Sequence, residues 1–139
     1  MKPLTIGIVF LLVTALAGCK GITEGKLAGE RAVAHFHNLY NQGKLEDIWT
    51  EADPSFRNAL TKQKYDDFLG AVHRKLGKVT SSSDAGWRVQ TFNMKRTVLM
   101  SQKTVFESGQ GTESFTFALD GTNAVLVGYN VQSTDLITK

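Results

Sequence analysis

The hydrophobic period of this chain changes at Gly77. Before it, Tyr65, Phe68, Leu69, Val72 and Leu76 recur at the three- and four-residue steps that place side chains on one face of a helix. After it, Phe115, Phe117 and Leu119 alternate with Ser114, Thr116 and Ala118, the two-residue period of a strand with one covered face. Helices followed by consecutive hairpin-linked strands predict an α+β fold. N-terminal helices would pack on a curved antiparallel β-sheet, a cone-shaped arrangement with one open mouth.

The helical half reads as three segments. Ala28, Ala32, Phe36, Leu39 and Tyr40 mark a helix over 24–42, with Thr23 as its N-cap and Gly43 as its stop. Leu45, Ile48, Trp49 and Ala52 mark a short second helix that Pro54 breaks or redirects. Thr61 is set to cap the third helix, which ends at Gly77. In the second half, TSSSDAG reads as a loop and Trp87–Met94 as a strand with a bulge. Strands are expected over 98–107, 112–119 and 124–131, joined at Ser108–Gly111 and Asp120–Gly121. In the last strand Val125, Val127, Tyr129 and Val131 are expected to share one face. The tail after residue 133 is expected to fray.

The N-terminus carries a different kind of information. Lys2 precedes an apolar run from Ile6 to Ala17, which is shorter than the roughly 20 residues of a membrane span. The one cysteine in 139 residues follows directly, in Leu16-Ala17-Gly18-Cys19. A single cysteine leaves no internal disulfide and no cysteine-based metal site. The tetrapeptide resembles the lipobox of bacterial lipoproteins. That resemblance implies cleavage between Gly18 and Cys19, a diacylglyceryl group on the Cys19 thiol, and a protein anchored to the cell envelope without spanning a membrane. Lys20, in place of an aspartate after the cysteine, favours the outer membrane in a Gram-negative cell. The chain then divides into a signal over 1–18, a lipidated tether over 19–23, one domain over 24–133 and a tail over 134–139.

The stretches AVAHFHNLYNQGKLEDIW, RKLGKV and DGTNAVLVGYNV resemble small secreted bacterial domains of unknown function. Those domains share the cystatin-like, cone-shaped fold of the nuclear transport factor and ketosteroid isomerase superfamily. Such domains commonly carry tryptophan five residues before the terminal tyrosine, where this chain has Ala124. The resemblance implies the fold and no one activity, because the fold hosts enzymes, binders and assembly modules.

Residue chemistry narrows the role. Sixteen basic and 13 acidic side chains give a net charge of +3 with no basic run, which argues against nucleic acid as a partner. His35 and His37 are two apart on a helix and point apart, so they do not form a metal pair, and His73 stands alone. No nucleophile elbow or phosphate loop is present, and no metal or cofactor is expected. The groups that a buried acid or tyrosine mechanism would draw on are Tyr40, Asp53 and Tyr129. Trp49, Phe68, Phe115, Phe117 and Tyr129 stand as pocket or core residues, and Trp87 as a contact residue. The expected role is a non-enzymatic envelope lipoprotein that binds a partner protein or a small apolar ligand. The alternative is an isomerase- or dehydratase-type enzyme. A homodimer through the outer sheet face stays open.

Overall fold

A computed structural model describes residues 14–138, with side chains described from Cys19 onward. The first part of the expected signal, residues 1–13, lies outside the described residues. Helices α1 (Thr14–Asn41), α2 (Leu45–Glu51), α3 (Pro54–Ala59) and α4 (Lys62–Leu76) precede the strands. Strands β1 (Val79–Phe92), β2 (Lys95–Phe106), β3 (Gly109–Asp120) and β4 (Asn123–Gln132) follow, and α5 (Asp135–Thr138) closes the chain. The strands form one antiparallel meander in the order β1-β2-β3-β4, and the helices cover one face of the curved sheet. The α+β architecture expected from the change of period is the one observed. No helix of the described residues is long and apolar enough to cross a membrane.

The first helix begins earlier than the sequence suggests. Thr23, expected as an N-cap, sits inside α1, and its hydroxyl donates to the Cys19 carbonyl at 3.0 Å. The small residues around it serve packing. A Cβ on Gly29 would stand 2.8 Å from Met100 Sδ, so glycine lets α1 lie directly on β2. Farther along, Val33, Phe36, Leu39 and Tyr40 enter the core.

The cap of α4 is as expected: Thr61 Oγ1 accepts from the Lys64 N–H at 3.2 Å. Tyr65, Leu69, Val72 and Leu76 are buried, while Phe68 on the same stripe stays exposed. At the other end Gly77 takes φ +75° and donates to the His73 carbonyl. Pro54 opens α3 at its first turn, behind Asp53 as N-cap.

Three differences arise in the sheet and tail. TSSSDAG is strand, not loop: β1 runs through it, paired with β2, with register shifts between Val79 and Ser81 and between Asp84 and Gly86. As an edge strand with almost no covered side chains, it is held by backbone pairing and shows no alternation. In β4, a register shift opposite Thr116/Phe117 pairs Phe117 with Leu126 and Phe115 with Tyr129. The core face therefore carries Leu126 and Val131, and Val125 and Val127 leave the expected face. Finally, the tail folds back as α5, where Lys75 Nζ donates to the Leu136 carbonyl at 2.9 Å.

Candidate functional site

The helices do not seal the sheet face. Phe36 of α1 and Leu126 of β4 together form a wall with an apolar cleft on either side. The larger cleft, about 400 Å³, lies between α1, α2 and the β3–β4 end of the sheet. Ala28, Ala32, Leu39, Ile48 and Phe117 line it. The alanines create the space, since larger residues at their helical positions would fill it. Polar groups gather at its mouth. His35 Nε2 lies 2.6 Å from Glu51 Oε2, and Arg31 Nη2 donates to the Thr122 carbonyl at 3.0 Å. An apolar lining with a few polar groups at the rim suits a small ligand with a hydrocarbon body.

The second cleft, about 220 Å³, lies between α3, α4 and β4. Phe56, Leu60, Tyr65, Phe68 and Tyr129 line it. Phe36 packs edge-on to Phe115 at 5.0 Å between ring centroids and tilted on Tyr129 at 4.7 Å, which fixes the wall in place.

Behind Tyr129 sits a polar group that the sequence reading did not single out. Glu113 is 1% exposed on the core face of β3. Its Oε1 accepts from Tyr129 Oη at 2.7 Å. Its Oε2 accepts from Thr104 Oγ1 at 2.6 Å and lies 2.6 Å from His37 Nε2. Three neighbours thus satisfy a group that would be costly to bury alone. Burial and the adjacent Glu113 raise the Tyr129 hydroxyl well above the usual phenol range, so it stays a donor. The signal for Glu113 was present in the strand period, because it shares parity with Phe115 and Phe117.

The remaining expected groups are dispersed. Tyr40 Oη donates to the Gly77 carbonyl at 2.9 Å and its ring meets His73 edge-on at 4.9 Å, so it ties α1 to the end of α4. Asp53 is set apart from both tyrosines in this role: it accepts from the Ser55 N–H at 2.8 Å as the cap of α3. Hydrogen bonds from Ser55, its hydroxyl foremost, hold the Asp53 carboxyl below its ordinary range. Trp49 packs on Tyr65 at 5.0 Å and on Phe56 at 6.0 Å, outside both clefts. Phe115 is core; Phe117 lines the larger cleft, and Phe68 and Tyr129 line the smaller. Trp87 is partly exposed beneath the Lys26 ammonium, 5.7 Å from the ring centroid. Cys19 is exposed and free. Among the described residues no three of His, Cys, Asp and Glu gather as a metal-binding group.

The sequence pattern of a family of proteins of unknown function, DUF4019, matches residues 32–129. That span runs from the cleft face of α1 to Tyr129. Comparison with curated proteins and with solved structures finds no match.

Proposed function

Since this chain belongs to the DUF4019 family, whose members are of unknown function, we propose a role from its own geometry. It is a lipid-anchored envelope protein that binds a small apolar ligand in the cleft between α1, α2 and β4. The observation that carries the binding role is the cleft itself. About 400 Å³ of apolar space stays open between α1, α2 and the sheet, with exposed polar side chains gathered at its mouth. The anchor rests on Leu16-Ala17-Gly18-Cys19 following an apolar run, and on the exposure of Cys19. Attachment through lipid at Cys19, facing the periplasm and favouring the outer membrane, would hold the cleft near a supply of acyl-chain ligands.

The binding role is tested with N-phenylnaphthylamine as an apolar fluorescent probe. Its emission should rise on the parent protein and not on Ala32→Phe, where the new ring fills the cleft. Equal emission from both proteins contradicts the reading. The anchor is tested by cell fractionation: Cys19→Ser should leave the membrane fraction or accumulate unprocessed. Processed protein that stays membrane-bound contradicts it.

One observation favours the second reading, an isomerase- or dehydratase-type enzyme. The Tyr129 ring faces the smaller cleft while its hydroxyl holds a buried acid. Against it, the protein's own donors meet both Glu113 oxygens, so the acid is engaged in holding Thr104, His37 and Tyr129 together. Loss of a turnover in Tyr129→Phe with the fold retained would favour the enzyme.

A further inference from the structure

The β1–β2 hairpin ends in two apolar side chains that the domain leaves largely uncovered. Phe92 is 72% exposed and Met94 is 97% exposed. The turn between them is unusual for its residues. Asn93 has φ 49° and Met94 has φ 62°, so both take the left-handed conformation of a tight hairpin turn. Glycine is the favoured residue at the second of these places, and methionine is disfavoured there by its Cβ. Here a large apolar residue occupies a strained position and gains no packing from its own domain.

The tip stands at the end of the molecule that carries Cys19. Arg96 Nη2, just past the turn, donates to the Gly21 carbonyl at 2.8 Å, two residues from the cysteine. Ile22, also exposed, lies on the same first turns of α1. Lys20, Lys95 and Arg96 are exposed cations at this end, and Asp120 of the neighbouring β3–β4 turn is an exposed acid there. The β3–β4 turn itself, Gly121-Thr122, presents no large apolar side chain.

We infer that the Phe92–Lys95 hairpin tip is a second membrane contact, inserting Phe92 and Met94 among phospholipid acyl chains while Lys20, Lys95 and Arg96 meet anionic headgroups. The inference rests on the anchoring reading, because the acyl chains on Cys19 would bring this end of the domain to the bilayer. With one end fixed at both Cys19 and the hairpin, the domain would hold one orientation instead of swinging on a tether. Apolar insertion flanked by cations is how surface-bound segments gain affinity for anionic bilayers.

The test removes the lipid so that the tip is read alone. The Cys19→Ser protein, exported behind an ordinary cleavable signal so that it begins at residue 19, keeps every core residue seen among the described residues, since the first of these is Ala28. It is floated with vesicles of phosphatidylethanolamine and phosphatidylglycerol. The parent should float, and salt should weaken its binding. Phe92→Ser/Met94→Gly should float at least about tenfold less. Its thermal midpoint should stay near the parent's, because glycine suits the left-handed turn. Equal flotation of the two proteins overturns the inference, as does a parent that does not bind these vesicles. A changed oligomeric mass in the double variant with unchanged flotation also overturns it, and assigns the tip to a second copy of the chain. Failure of the anchor itself is read separately, by fractionation of cells carrying Cys19→Ser.

Discussion

The Tyr129 hydroxyl donates to Glu113 Oε1 at 2.7 Å, reaching diagonally from β4 to β3 across the core face of the sheet. This bond joins the wall of the smaller cleft to the most deeply buried acid of the domain. If the group is a structural tie, its loss is felt in stability first. Glu113→Ala should lower the unfolding free energy by about 3–5 kcal/mol, because it strands the Thr104 and Tyr129 hydroxyls and the His37 ring and opens a cavity. Glu113→Gln, of the same shape, should cost about 1–3 kcal/mol. Urea unfolding of the two variants measures the difference, and an unchanged Glu113→Gln beside a large loss in Glu113→Ala would argue that only the side-chain volume matters.

Alkaline pH probes the same network. Tyr129, Tyr40 and Tyr65 all have hydroxyls raised above the ordinary value of about 10, burial being the largest cause in each. The folded state then binds protons that the unfolded chain releases. The stability this contributes is intact below about pH 10 and falls as pH rises beyond it. In Tyr129→Phe the slope of unfolding free energy above that pH should flatten by up to ~1.4 kcal/mol per pH unit, for one proton removed from the linkage. An unchanged slope would mean that Tyr129 ionises equally in both states.

Gly77 is predicted to tolerate no side chain. Its φ of +75° disfavours L-residues, and a Cβ would stand 2.5 Å from Glu107 Oε2. That carboxylate accepts from the Lys78 N–H at 2.9 Å, so moving it breaks the entry into β1. Gly77→Ala should cost about 1–2 kcal/mol from the backbone conformation alone. Gly43→Ala, also at positive φ but with nothing within 4 Å, should cost less. Thermal unfolding of the pair compares them.

Phe36 divides the clefts, and its removal should join them. Phe36→Ala is expected to lose about 3–5 kcal/mol as a core truncation. If the protein stays folded at low temperature, it should take up a bulkier apolar probe than the parent does. Folding without any change in probe size would show that the wall lies elsewhere.

Much of the fold was legible because it rests on local rules. The stripe through Tyr65, Leu69, Val72 and Leu76, the cap at Thr61 and the stop at Gly77 each carry their own signal. The first half of the edge strand β1, TSSSDAG, carried none: its exposed serines pair through the backbone, with no covered face to impose an alternation on the side chains. The β4 register shift was hidden for a related reason, since Val125, Leu126 and Val127 are all apolar and either parity looks acceptable. Gly25 and Gly29 carry no pattern of their own in the sequence, and only against Val89 and Met100 do they become points of close approach. The clefts depend on which side chains are absent between distant elements, and no local pattern encodes that. Glu113 was within reach, on the same alternation as Phe115 and Phe117.

Native mass spectrometry of the Cys19→Ser protein, exported behind an ordinary cleavable signal and purified without detergent, reads directly whether the larger cleft holds a ligand. A small additional mass is expected on the parent and absent from Ala32→Phe, with both proteins otherwise of the same oligomeric mass. A parent that is empty under the same conditions, or an additional mass retained when the larger cleft is filled, would contradict the binding role.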